Sequence, residues 1–396
     1  MFAAFAFAYF LSAMVRAVTA TLAPYFSAEL GLTAGDLGLL AGAYFLGFAL
    51  MQLPLGRALD RWGPRRVVVV FLSVAVVACM AFASAQSFTA LLAARAMIGV
   101  GVSACLMAPL TAYRLRLGAA GQLRANSWML MTGSLGMVAS TLPVQWLLPS
   151  ASWRGLFWLV AGLLTVATVV IAWVVPHDSP PTEKLDAERY GYIAILRHPE
   201  FVRLAPLAFF VYGGLIAVQA LWAGPWLTDV VGQSPAMAAR GLFAINLSML
   251  IAFFGWGVAM PQLARRGWRV ERLITWGLPI ALALLVGAVL AGPRAGAAWW
   301  AVWCVACTFV SLSQPALALA YPAAVAGRAL SAYNLVIFLG VFSVQWGIGL
   351  MIDALVTRGW ERIASFQFSF ALLALGSTAS YVWFVWRGGR LACRAR

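Results

Sequence analysis

Arg16 is the one charged residue between Met1 and Glu29, in an otherwise apolar run. At about 1.5 Å of rise per residue, a helix starting near Phe2 carries it about 20 Å along, close to the middle of a hydrocarbon core about 30 Å thick. A charge at that depth costs several kcal/mol unless water, an anion or a partner side chain meets it. Tyr9, Ser12, Arg16 and Thr19 follow one another at steps of three, four and three, so a helix aligns them on one face. A planar cation among hydroxyl groups suits an anionic group on a small molecule, with Arg16 as the clamp. The alternative is an arginine paired structurally inside a helix bundle.

A matching stripe, Tyr212, Gln219, Trp222 and Trp226, stands at steps of seven, three and four. Aromatic rings with a polar edge can enclose a small organic molecule, and Gln219 can hydrogen-bond it; ordinary packing, or a membrane-interface belt for Trp226, gives the same pattern. Gln314, Tyr333, Asn334 and Gln345 are further polar groups within apolar runs. No carboxylate falls near the middle of a run: Asp36, Asp229 and Asp353 all lie near run ends. Proton symport through a buried acid has no evident carrier. Coupling is left to a peripheral carboxylate, a proton on the substrate or a counter-anion.

Enzyme chemistry lacks its parts. There is no phosphate-binding glycine loop, no zinc motif and no nucleophile with a histidine at depth, so neither a catalytic residue, a metal nor a cofactor is expected. His177 and His198, the two histidines, fall in a polar loop. Of the five cysteines, Cys304 and Cys307 have CxxC spacing but no second pair, and read as core residues.

The elements that must position these groups are membrane helices. Of 396 residues, 63% are hydrophobic and 10% charged, against about a quarter charged in soluble domains; mean hydropathy is +0.90. Apolar runs recur at 3–27, 35–56, 67–86, 89–113, 125–148, 154–176, 203–228, 238–262, 273–292, 297–320, 329–352 and 364–386, each about 20 residues or longer and able to cross as a helix. Strand alternation is absent, so helices rather than a barrel satisfy the backbone. The first run has no basic segment before it and reads as a retained span, not a cleaved signal peptide; nothing polar precedes Phe2, which leaves a start upstream of Met1 open.

The net charge of +15 is topological here and implies no nucleic-acid partner. Arg57, Arg61, Arg65, Arg66, Arg114, Arg116, Arg124, Lys184, Arg189, Arg265, Arg266, Arg269, Arg272, Arg328 and the tail from Arg387 to Arg396 all fall on the side of the termini. The positive-inside rule puts both termini in the cytoplasm of a bacterial-type inner membrane. The basic tail marks topology or touches anionic lipid.

A polar stretch divides the runs six and six. The expected organisation is a first bundle over 1–176, a cytoplasmic linker over 177–202, with a short surface helix near 185–198, and a second bundle with a basic tail over 203–396. Internal similarity supports the division, because several pairs share one offset: Leu59 with Leu263, Arg61 with Arg265, Gly63 with Gly267, Arg65 with Arg269, Arg124 with Arg328, Ser127 with Ser331, and Gly136 with Gly340. Duplication of a six-helix unit predicts an all-α membrane protein of twelve transmembrane helices, in two six-helix bundles related by a pseudo-two-fold axis along the membrane normal.

Between the second and third runs stands Gly56-Arg57-Ala58-Leu59-Asp60-Arg61-Trp62-Gly63-Pro64-Arg65-Arg66. Gly56 permits close helix approach, Gly63 lets the chain reverse, and Asp60 presents a carboxylate among arginines. This segment resembles the signature loop of the major facilitator superfamily, and Arg95-x3-Gly99-x-Gly101 and Trp153-Arg154-x2-Phe157 add to the likeness. The resemblance implies a transporter whose loop, with Gly56, Asp60, Arg61, Gly63, Arg65 and Arg66, braces one conformation, Asp60 facing the start of the eleventh helix near Arg328 to Ser331. It also implies a role for Arg95 in energy coupling. In the second copy Ala264 replaces the aspartate. Arg16 is similar to a first-span arginine of organic-anion symporters, although Val15 stands where that subgroup has an aspartate. The fifth run lacks the glycine-proline pair of antiporters.

The function expected is a monomeric secondary active transporter of a small organic anion, working by alternating access with a proton or counter-anion as coupling partner. An exporter of amphipathic or drug-like compounds and a non-transporting receptor on a transporter fold are the alternatives.

Overall fold

The computed structural model describes residues 1–176 and 191–394. It holds twelve long helices, in chain order α1 (Phe2–Leu30), α2 (Ala34–Leu59), α3 (Arg61–Ser84) and α4 (Phe88–Tyr113), α5 (Ala119–Ala139), then α6 (Leu142–Val174), α7 (Pro199–Val230), α8 (Pro235–Met260), α9 (Val270–Arg294), α10 (Ala297–Leu319), α11 (Val325–Val356) and α12 (Arg362–Gly389). All except α5 are long and apolar enough by themselves to cross a membrane. No strand occurs among the described residues.

The expected fifth run, 125–148, is two pieces. After α5 the hydroxyls of Ser140 and Thr141 donate back to the carbonyls of Met137 and Val138 at 2.7 and 2.6 Å, and α6 begins at Leu142 with a proline in its first turn. Hydroxyl-to-backbone bonds of this kind compete with the helical ladder, so a stretch that is continuous by hydropathy is broken in structure. Ser152, at φ 52 and ψ 172, then turns the chain inside α6. The start of α6 completes the crossing that α5 opens, and the remainder returns.

The first long helix after the linker begins at Pro199. Of the expected surface helix, Tyr192–Arg197 is helical, and 177–190 lies outside the described residues. The Tyr321 hydroxyl donates to the Ile195 carbonyl at 2.8 Å, docking this helix on the second bundle. Burial first, then the Glu200 charge, pushes that hydroxyl up to about 12, so it remains a donor at neutral pH.

The bundles meet along α2 and α11, α1 and α7, and α5 and α8. At the end remote from the termini the first two pairs touch backbone to backbone. A Cβ on Gly38 would stand 2.4 Å from the Gln345 carbonyl oxygen, one on Gly349 2.2 Å from that of Ala34, and one on Gly224 2.5 Å from that of Ala20. Only glycine allows such approach. Deeper in, Phe338 of α11 packs on Phe45 and Phe48 of α2, with ring centroids 6.1 and 4.6 Å apart.

Helices α4, α7 and α10 are irregular. A turn at Ser103 interrupts the fourth crossing, α10 tightens to a 3₁₀ turn over Thr308–Leu312, and α7 holds π-helical turns at Ala208–Tyr212, Val218–Trp222 and Trp226–Val230. Each π turn shifts the side-chain register of the helix beyond it.

Candidate functional site

Arg16 projects from α1 half-buried, and its Nη2 donates to the Met137 sulfur of α5 at 3.5 Å. A thioether is a weak acceptor that leaves the charge unanswered. The described ion pairs lie elsewhere: Glu29 with Arg154, Arg203 with Glu200 and Glu271, and Asp229 with Arg362.

Two phenols, Tyr212 and Tyr44, lie within electrostatic reach of this guanidinium. The Tyr9 ring lies on α5 where a Cβ at Gly133 would come within 2.4 Å of it. Tyr212, from α7 of the other bundle, stands within electrostatic reach of both Arg16 and Tyr9, and Tyr333 of α11 is beside Tyr212. Tyr44 of α2 is within reach of Arg16 and Arg95. Like Arg16, Tyr212 is only half-buried. The structure thus brings together Tyr9, Arg16 and Tyr212, which sequence spacing had placed on two separate stripes, and adds Tyr44 and Met137, which carry no polar signal in an apolar run.

The first stripe divides. Ser12 and Thr19 are buried at 4% and 2% exposure; Ser12 sits at Cys105 of α4, and the Thr19 hydroxyl accepts from Arg95 Nη2. Arg16 and Tyr9 remain near Tyr212 of the other bundle. Arg95 is itself 1% exposed, with its guanidinium carbon 5.1 Å from the centre of the Tyr44 ring.

The second stripe is not one face, because the π turns rotate its members apart. Gln219 is buried and donates to Asn246 Oδ1 at 3.0 Å. The indole N–H groups of Trp222 and Trp226 donate to the carbonyls of Gln345 and Ala295 at 3.1 and 3.0 Å. Trp226 is thus a core residue, outside any interfacial belt. Gln314 donates to Asn334 Oδ1 at 2.8 Å, pairing α10 with α11.

In the loop, Gly63 takes φ 74 and ψ 161, a positive-φ turn near the start of α3 that glycine adopts without strain. Arg65 donates to the Ala172 carbonyl in the last turn of α6, a cation at a helix C-terminus, and Arg61 lies over the Trp62 ring at 5.8 Å. Arg66 is exposed. No described heavy atom comes within 4 Å of where a Gly56 Cβ would stand, so helix contact does not require that glycine in this conformation. The Asp60 side chain lies outside the described residues. Among the described residues no histidine, cysteine and carboxylate cluster could hold a metal.

The sequence model of the Major Facilitator Superfamily matches residues 5–344. The chain belongs to the Major Facilitator Superfamily. The superfamily is one of membrane transporters, and the eleven long apolar helices accord with membership. It is 26% identical over 172 residues to a probable sulfoacetate transporter of Cupriavidus necator, covering 43% of this chain and 40% of that one. To a probable 4-methylmuconolactone transporter of Cupriavidus pinatubonensis it is 25% identical over 257 residues, 63% of this chain and 59% of the relative. The matches thus span about half the length of these relatives. In fold it resembles a bacterial homologue of the human lysosomal transporter Spinster, in an inward-facing, unoccupied conformation, with TM-score 0.78 and 19% identity over 98% of this chain and 96% of the other. It also resembles a D-xylose–proton symporter, with TM-score 0.76 and 15% identity over 97% and 96%.

Proposed function

We propose that this superfamily member carries a small organic anion across a bacterial-type inner membrane as a monomer, with both termini in the cytoplasm. The observation that supports it is Arg16: half-buried near the midpoint of α1, held by a thioether, answered by no described carboxylate, and facing Tyr212 of the other bundle. Bundles that rock about such a site expose it to each side in turn. The cargo's carboxylate or sulfonate takes the guanidinium, and Tyr9 and Tyr212 hydrogen-bond it from the two halves. Gln314 and Asn334 contribute a polar edge; Ser12, Thr19, Gln219 and Trp222 act through packing behind the site. Two relatives named for transport of sulfoacetate and of a muconolactone fit organic acid cargo.

In this orientation the glycine-lined end, where α2 meets α11 and α1 meets α7 backbone to backbone, is the outer one. Loop residues Gly56, Asp60, Arg61, Gly63, Arg65 and Arg66 brace one conformation. A thermal-shift screen of purified protein against carboxylates, sulfonates, sugar acids, phosphates and organic cations tests the reading. Stabilisation by an anion class, lost in Arg16→Ala, is expected; stabilisation by cations alone would favour export of amphipathic compounds instead.

A further inference from the structure

Arg95 is a buried cation whose charge the chain does not balance. It is 1% exposed, and its Nη2 donates to the Thr19 hydroxyl, while Nε and Nη1 have no partner among the described residues. The contrast is Arg203, also buried, which meets the Glu200 and Glu271 carboxylates at 3.3 and 3.1 Å and the Phe384 carbonyl at 3.1 Å. Among the described residues no carboxylate pairs with Arg95. The sequence has no aspartate or glutamate anywhere from Arg61 to His177, so α3, α4, α5 and α6 cannot supply one. Near α1 and α2, Glu29 is engaged by Arg154 and Asp36 by the start of α2. The titratable neighbours of Arg95 are Tyr44 and Cys79, a phenol and a thiol, both neutral at pH 7 with ordinary values of about 10 and 8.5. The face of the ring at Tyr44 offsets part of the charge, but a guanidinium remains protonated in proteins, and its remaining N–H groups require an acceptor.

We infer that Arg95 holds a small monovalent anion, chloride, inside the first bundle, separate from the cargo position at Arg16. Enclosure decides the size. Arg16 faces the seam between bundles and is half-buried, whereas Arg95 is 1% exposed with Thr19 and the Tyr44 ring against it, an enclosure that shuts out an organic acid. Charge decides the valence, since one guanidinium with one neutral hydroxyl partner balances one negative charge. Chloride gives up its hydration more readily than a divalent oxyanion does, and Nε and Nη1 supply the donors that replace the lost water. The ion neutralises α4 beside the Arg16 site, and the two sites interact because Tyr44 stands within reach of both arginines.

The test uses the full chain purified in detergent with sulfate as background salt. Titrated chloride and bromide are expected to raise the unfolding temperature along a saturable curve, with nitrate weaker and added sulfate giving no saturable shift. Arg95→Gln is expected to lose the shift, Arg95→Lys to keep it at reduced affinity, and Arg16→Gln to keep a saturable shift. Should Arg95→Gln fail to fold, crystals grown in bromide decide: an anomalous peak beside Arg95 Nε and Nη1 supports the site. A wild-type protein without a saturable halide shift, or a bromide peak at Arg16 and none at Arg95, overturns it. Because Arg16→Gln removes cargo binding and not the halide shift, failure of this site and failure of the cargo reading are distinguishable.

Discussion

Asp353, at the end of α11, caps the start of α2 in the other bundle: its carboxylate accepts from the Gly35 N–H at 2.7 Å and the Ala34 N–H at 3.0 Å. A carboxylate at a helix N-terminus meets both unpaired amides and the positive end of the helix dipole. Thr33 and Asp36 already form a capping box on the same turn, so Asp353 completes it across the seam. Gly35 is part of the fit, since a Cβ there would stand 2.7 Å from Asp353 Oδ2.

This contact latches one end of the transporter. Hydrogen bonds to a charged group contribute about 1.5–3 kcal/mol each, and about 1.4 kcal/mol is tenfold in a population. Asp353→Ala should therefore shift the closed-to-open equilibrium at this end by tenfold or more. Spin labels at the exposed positions Ala28 and Arg358 should report longer distances in the variant; an unchanged distance distribution would contradict the latch.

Closure also requires the bare backbone at Gly349. Gly349→Val would drive a side chain into the Ala34 carbonyl, 2.2 Å from its Cβ. The variant is expected to insert normally and to stay open at that end, with transport lost. Labelling of a cysteine placed at Ala28 checks this, and wild-type rates with wild-type protection would reject it.

Gln219 separates packing from cargo contact. Its removal leaves Asn246 Oδ1 without its donor, at a cost of about 1–3 kcal/mol for an unsatisfied buried group. Gln219→Leu should lower the unfolding temperature while cargo affinity stays within about twofold of wild type, given that an unlost contact leaves binding free energy unchanged. A selective loss of affinity with normal stability would return Gln219 to the site.

The resemblance in the loop carries its own prediction. Asp60→Asn should lower transport while insertion stays intact, as measured by uptake against the amount of folded protein in the membrane. Normal uptake rates would remove the brace.

Much of the fold is legible in the sequence, because lipid demands long apolar helices and leaves their traces in hydropathy. The break at Ser140–Thr141 is not, since two hydroxyl residues do not lower the mean enough to interrupt a run. The π turns of α7 carry no compositional mark at all, which is why Tyr212, Gln219, Trp222 and Trp226 read as one stripe although Gln219 and Trp226 are spent on hydrogen bonds inside the second bundle. Arg16 was visible because charge is rare at that depth. Tyr44 was not, being one aromatic among many, and its position between Arg16 and Arg95 needed three helices to be placed together. The far-end latch was half visible: Asp353 could be placed near a helix end, but its partner across the seam is a backbone amide and leaves no trace in sequence.

In the proposed function Arg16 clamps an anionic cargo at the seam between the bundles. Equilibrium binding of sulfoacetate, and of a panel of carboxylates and sulfonates, to the purified chain and to Arg16→Gln tests it most directly. Truncating one partner of a charged pair costs about 2–5 kcal/mol, so at least one organic anion should bind wild type and be weakened about thirtyfold or more in the variant. Equal affinity in the two proteins, or a panel in which only cations bind, would contradict it.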